Sequence, residues 1–355
     1  MTKLMKTESI MLWNRKNHLL MHAMGANAGG QVGSVMAATI MADGFPVGHI
    51  IPTENLTVFM KLVQERTKNR IHFDYFPAGQ MGKQTDMLEI LKSGAVDVAA
   101  IGTAYVAGKL PLSGALELPG MYPNAAIGSE AFWRLTQGVL YAEEFSKHNV
   151  YPATAIAYAP YEVFNNKRPV RTVSDLKGLK LRTAGGTMDL VIKALGATPV
   201  SMVPQETYDA VSKGVLDGVA FPTEAIDSYK LQEVLKYMTK GAFINGWVCT
   251  YCFSKKAWNG LPEDIKKIVL ECGLEASKAF GKAIDAKVDA YIKKYEAAGM
   301  KVAYLNEQEK KTFQDASNEV VKQWVQNQEK RNLPGKRILE ESKKTVADLV
   351  GKSGK

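Results

Sequence analysis

Arg182 ends the apolar run Leu179–Leu181 and stands three residues before Gly185-Gly186, where a helical pattern begins. A guanidinium there can hold a carboxylate through two parallel hydrogen bonds, and the free N–H groups of the following turn add to it. The two glycines let the backbone come close to a guest. An inter-lobe ion pair or a solvated strand end would use the same residue. Other chemistry is sparse. His18 and His22 lie near the start, His72 is mid-strand, and His148 sits in a loop, so only His49 follows an expected strand toward a cleft. There is no G-x-S-x-G, P-loop or H-E-x-x-H, and "GANAGGQVGS" has neither a strand before it nor a closing acidic residue. Cys249 and Cys252 fall in "GWVCTYCFS", which reads as a strand. There they point to opposite faces about 10 Å apart and serve as core, with no disulfide, redox or zinc role. No cofactor and no metal is expected.

The elements that must position Arg182 follow a regular plan. "PVGHII" reads as a strand, "TENLTVFMKLVQERTKN" as a helix capped by Thr53 with Leu56, Phe59, Met60 and Val63 on one face, and "RIHFDYF" as a strand. "KQTDMLEILKSG" reads as a helix closed by Gly94, and "AVDVAAIG" as a buried strand. The gapless match of "LKSGAVDVAAI" (91–101) to "VSKGVLDGVAF" (211–221) pairs Gly94 with Gly214 and Asp97 with Asp217. It predicts two α/β lobes built alike. Ligands of open α/β sheets sit at the carboxyl ends of strands. That points to Gly102–Tyr105, Arg182–Thr187, Phe221–Glu224 and Asn245–Trp247, with Tyr105, Tyr161, Phe221 and Trp247 as candidate aromatic walls. Past Phe253 the chain turns helical. One long stretch is broken only at Gly273 and Gly281, a second opens with the Asn306/Glu309 capping box, and a short last helix follows "RNLPGKR".

The 355 residues, 46% apolar and 23% charged, suit two domains or one large cleft unit. The net charge of +9 is spread along helix faces, without the basic-aromatic patch a nucleic-acid partner needs. Residues 1–42 carry early Lys and Arg, then a charge-free Ala/Gly/Met stretch, as in a secretory leader or a mis-called N-terminal extension.

"YFPAGQMG", "MLEILKSGAVDVAAIG", "DLKGLKLRT", "ALGATPVSMVPQETYDAVSKGVLDGVAFP" and "FSKKAWNGLPEDIKKIV" together resemble the DctP-like solute-binding proteins of TRAP (tripartite ATP-independent periplasmic) transporters. The resemblance runs from about Val47 to beyond residue 330. It implies a two-lobed periplasmic-binding-protein fold, with a cleft between the lobes and long C-terminal helices bracing both. Lobe I would take 43–158 plus 247–286, lobe II 159–246 plus 287–340, and 341–355 would be a tail. It also implies a periplasmic receptor that is not an enzyme and that closes on a small organic acid. The acid is then passed to the small and large membrane permease subunits, with monomer or dimer left open. Arg182 occupies the position that grips the ligand carboxylate. Sialic-acid-binding relatives carry further arginines near Tyr105 and Tyr161, and an asparagine often stands where Phe221 is. One cation among aromatics favours a monocarboxylate (hydroxy, keto or aromatic) over a sialic acid, with a C4-dicarboxylate as the alternative. Gln84 and Thr103 are candidate hydrogen-bonding partners. A sensing receptor or an enzyme on the same fold are the rival readings.

Overall fold

The computed structural model describes residues 37–353. Two six-stranded sheets form around a shared pattern. β1 (Ala37–Ala42), β2 (Ile71–Phe76) and β3 (Val98–Gly102) are mutually parallel in the order β2-β1-β3. β4 (Val150–Pro152) and β5 (Ile156–Ala157) lie further along that sheet. In the second sheet β6 (Glu162–Asn165) lies beside the parallel set β7 (Lys180–Thr183), β8 (Thr198–Ser201) and β9 (Gly218–Phe221), ordered β8-β7-β9. β10 (Tyr237–Lys240) pairs β6, and β11 (Val248–Ser254) returns to the first sheet antiparallel to β3. β12 (Lys301–Tyr304) closes the second sheet against β10. The two-lobed α/β expectation therefore holds.

The internal repeat is visible in hydrogen bonds. Asp97 accepts the Ile40 N–H at 2.9 Å while its own N–H reaches the Ile40 carbonyl; Asp217 does the same with Lys180. Each aspartate follows a left-handed glycine, Gly94 or Gly214, and ties the third strand of its unit to the first. In each unit a backbone donor of the first strand finds its partner in this way.

Five sequence expectations need correction. "PVGHII" is not a strand. It forms a turn with Gly48 at positive φ, then enters a π-turn, Pro52–Leu56, that runs straight into the helix Thr57–Arg66. Ile50 and Ile51 are buried as expected, but from a helix start, and a short apolar run fits either element. Thr53 lies inside that turn and donates its hydroxyl to the Ile50 carbonyl instead of capping. The first strand is Ala37–Ala42, so the boundary at residue 42 falls too late; residues 1–36 of the expected leader lie outside the described residues. The long helix does not break at its glycines. It runs Glu263–Asp285, and Gly273 and Gly281 allow contact with the backbone of Ala153 and Ala125–Ala126; the interruption comes before Val288–Ala297.

The fifth correction concerns the C-terminus. Residues 341–353 are not a tail but most of a helix, Gly335–Ser353, that buries Ile338, Ser342, Val346 and Leu349. It packs on the lobe I helix Ala125–Gln137 and on Glu307–Lys330, which in turn packs on the lobe II helix Thr187–Ala194. The C-terminal pair thus spans both lobes. The capping box at Asn306 and Glu309 forms as expected. Cys249 and Cys252 are free and buried in β11. No helix of the described residues is long and apolar enough to cross a membrane.

Candidate functional site

Arg182 is buried, 1% exposed, at the carboxyl end of β7. Its Nε and Nη2 both donate to the Met202 carbonyl, at 3.0 and 2.8 Å, which fixes the plane of the guanidinium. One face of that plane lies over the Phe221 ring, 5.0 Å from its centroid. Among the described residues no carboxylate pairs with it. A buried cation without an anion is costly, and proteins rarely keep one without use.

The chamber around the guanidinium is aromatic and drawn from both lobes. Lobe II supplies Arg182, Phe221, Tyr229 and Pro204, while lobe I supplies Phe45, His49, Tyr105 and Trp247. Tyr158 and Tyr161 come from the segment that crosses between sheets, and it pairs with the returning segment through Tyr161 and Asn245. Trp247 lies edge-on to Tyr105 and tilted against Tyr158, and Phe45 stacks on His49 at 4.9 Å. Phe45 and His49 are aimed there by a turn built on Asp43. One Asp43 oxygen accepts the hydroxyls of Tyr75 and Tyr251 at 2.8 Å each, and the other accepts the Phe45 N–H. Burial pushes that carboxyl up to about 6, against those hydrogen bonds.

Burial disfavours the charged form of the other ionisable side chains around the chamber. Burial pushes His49 down to about 3. Its Nδ1 accepts the Ile51 N–H, so the proton belongs on Nε2, which faces the Tyr158 hydroxyl at 3.4 Å. Burial likewise lifts Glu117 and Glu224 to about 8 each, so both keep their protons. Burial also raises the Tyr105 phenol, opposed by the Arg182 charge and a hydrogen bond from it. Arg182 is the one permanently charged side chain that lines the chamber, and no carboxylate lines it.

Space is divided in two. The inner chamber encloses about 20 Å³, the room of about one water, so a ring-sized guest requires its walls to part. Tyr105 separates it from an outer cleft of about 730 Å³ between the lobes, lined by Gly44, Lys83, Gln84, Gly185, Ser201 and Gln205 among others. Gln205 of lobe II donates to the Gly44 carbonyl of lobe I at 2.9 Å, and Gln84 Oε1 accepts the Gly44 N–H at 2.8 Å. The lobes are closed on each other in this structure.

Of the eight side chains singled out in the sequence, Arg182, Tyr105, Tyr161, Phe221, Trp247 and His49 meet in the chamber. Gln84 lies apart, on the outer cleft, with its Nε2 buried and unpartnered. Thr103 is not in the wall; its hydroxyl is engaged by Glu117 and the Val248 carbonyl. Phe45, Tyr158, Tyr229 and Pro204 were missed. Carried backward without a gap the internal repeat pairs Arg182 with Leu62, so only the strand register reveals Ala42 as its counterpart and Phe45 just beyond it; Tyr229 carries no local signal.

The profile of the bacterial extracellular solute-binding proteins, family 7 (DctP), matches residues 47–328. A solute-binding protein of Albidiferax ferrireducens is 27% identical over 72% of this chain and 76% of its own length. The 2,3-diketo-L-gulonate-binding periplasmic protein of Escherichia coli is 26% identical over 73% and 78%. Among solved structures, a TRAP solute-binding protein from Rhodoferax ferrireducens with copurified benzoate superposes with a TM-score of 0.83 at 25% identity, covering 89% of this chain and 99% of that one. A TRAP periplasmic solute-binding protein from Bordetella bronchiseptica with bound (R)- and (S)-mandelate shares the fold, with a TM-score of 0.79 at 22% identity over 88% and 99%. With the profile covering most of its length, this chain belongs to family 7 of the bacterial extracellular solute-binding proteins, the DctP-type receptors of TRAP transporters.

Proposed function

We propose that this protein is the periplasmic receptor of a TRAP transporter for a compact monocarboxylate, an aromatic, 2-hydroxy or 2-oxo acid, which it holds and releases unchanged. The observation that carries this reading is the buried Arg182, free of any carboxylate among the described residues and walled by aromatic rings. Arg182 takes the carboxylate, displacing water as the lobes close. Tyr105, Tyr161, Phe221, Trp247 and His49 cover the apolar body, and apolar area removed from water contributes about 25 cal/mol per Å². Gln84 offers its free amide N–H at the mouth, and Thr103 supports the wall through Glu117. No carboxylate lines the chamber and burial holds His49 neutral, which leaves no base against the guest, in keeping with capture without turnover.

Lobe I would comprise 43–158 plus 247–286, extended by β1, and lobe II 159–246 plus 287–340. The closed form would be what the small and large membrane subunits of the permease recognise, since a guest that touches both lobes shifts the population toward it. The relatives holding benzoate and mandelate support the aromatic choice. The direct test is mass spectrometry of the acid that copurifies, followed by thermal unfolding with benzoate, mandelate, succinate and glucuronate. At a hundred times Kd a ligand stabilises by about 2.7 kcal/mol. Benzoate or mandelate should raise Tm and succinate should not. A rise confined to succinate would overturn the monocarboxylate reading, and disappearance of the acid during incubation would make the protein an enzyme.

A further inference from the structure

Trp247 is fixed by its surroundings except at one atom. Its main-chain N–H meets the Tyr122 hydroxyl at 3.3 Å, its carbonyl accepts the Tyr158 N–H, and its ring is held among Phe45, Tyr105 and Tyr158. The residue is 2% exposed, and its indole Nε1–H has no partner among the described residues. A buried donor left unpaired costs about 1–3 kcal/mol, so such groups are normally satisfied. No other side chain lining the inner chamber has a fully buried polar atom without a partner.

We infer that the Trp247 indole N–H is a second, dedicated hydrogen-bond donor for the guest, reaching from lobe I to an anion that Arg182 holds from lobe II. This rests on the carboxylate reading above and sharpens it. The guest must present an acceptor toward lobe I as well, either the second carboxylate oxygen or an oxygen on the adjacent carbon. An ammonium group at that carbon would meet a donor and a cation, and no carboxylate lines the chamber to receive it, so 2-amino acids are excluded while their 2-hydroxy counterparts enter. The same bond ties ligand identity to closure, because the two donors lie on opposite lobes.

The test uses the full chain carrying ¹⁵N-labelled tryptophan. The indole signal of Trp247, one of five tryptophans, is assigned by its loss in Trp247→Phe. Adding benzoate or (S)-mandelate to the wild type should move that signal downfield, and 2-phenylglycine should not. Replacing Trp247 with benzothienylalanine, which keeps the ring size and substitutes sulfur for N–H, should weaken benzoate by about 10- to 100-fold, the range for a hydrogen bond to a charged group. It should leave the ligand-free Tm unchanged or higher, since no protein partner is lost. Binding that leaves the indole signal in place, or an isostere that binds as tightly as tryptophan, overturns the inference alone. An isostere that lowers the ligand-free Tm would show that the N–H serves the fold instead. If neither acid binds the wild type, the carboxylate reading falls and takes this inference with it.

Discussion

Replacing Arg182 with methionine separates what the cation does for the fold from what it does for the guest. The guanidinium is 1% exposed, with the Met202 carbonyl, the Tyr105 hydroxyl and the Phe221 face as company but no anion among the described residues. Removing it leaves the Met202 carbonyl short of its donors, a cost of about 1–3 kcal/mol. Against that stands relief from burying an unpaired charge, several kcal/mol even after relaxation. The net expectation is a ligand-free variant as stable as the wild type or more so, by about 1 kcal/mol, read by urea unfolding. Binding should move the other way. Truncating one partner of a buried, hydrogen-bonded charge pair costs about 2–5 kcal/mol, so Kd for benzoate should rise about 30-fold to a few thousandfold by calorimetry. Arg182→Lys keeps the charge but loses the planar fork, and should fall in between. A methionine variant that loses 3 kcal/mol or more without ligand would make Arg182 a structural residue, and unchanged affinity would end the assignment.

Glu224 is lifted by burial from 4.5 to about 8, so the folded chain holds that proton more tightly than the unfolded chain does. Its contribution is complete below about pH 4.5 and lost as pH rises toward 8. Glu224→Gln, neutral throughout, should flatten the decline in unfolding free energy between pH 5 and pH 8, and an unchanged slope would place the proton elsewhere. Gln205→Ala removes one neutral hydrogen bond across the cleft, to the Gly44 carbonyl. Affinity should fall about 2- to 10-fold through faster dissociation, by the same factor for every acid; a selective loss would mean that Gln205 touches the guest. Gly273→Ala would drive a Cβ into the Ala153 carbonyl oxygen, so Tm should drop with a destabilisation of about 1–3 kcal/mol while benzoate still binds.

What could be read from the sequence followed from local rules. The face Leu56, Phe59 and Val63 is buried, Gly94 and Gly214 adopt positive φ, and the box at Asn306 closes its helix, because each signal involves residues a few positions apart. Arg182 stood out for the same reason, as a charge at the end of an apolar strand. The failures lie where tertiary contact decides. The run at Ile50–Ile51 is apolar enough for a strand, and only Pro52 and the neighbouring turn commit it to a helix. Gly273 resembles a helix break until the Ala153 carbonyl is seen against it. Residues 341–353 look polar and terminal, yet Val346 and Leu349 find a partner surface on a lobe I helix that begins at Ala125. Tyr229 reaches the chamber from beyond a helix, which no spacing rule anticipates.

The internal repeat makes the asymmetry of the site meaningful. Met41 and Ala42 pair with Val98 and Ala99 in the first sheet as Leu181 and Arg182 pair with Gly218 and Val219 in the second, so Ala42 stands where Arg182 stands. A cation at both positions would set like charges against each other on closing and demand a guest with two anionic ends. With alanine on one side and arginine on the other, lobe II can hold a single carboxylate while the cleft is open, and lobe I has aromatic surface to lay over the rest. At the lips two direct polar contacts are modest and neutral, Gln205 to Gly44 and the Thr187 hydroxyl to the Gly114 carbonyl at 3.3 Å, and the deeper Arg182–Tyr105 hydrogen bond is one that a carboxylate guest would compete for. Such contacts alone leave closure near balance. A guest gripped from one lobe and covered by the other then supplies the differential affinity that decides the population, and that difference is all a ligand can use to drive a conformational change.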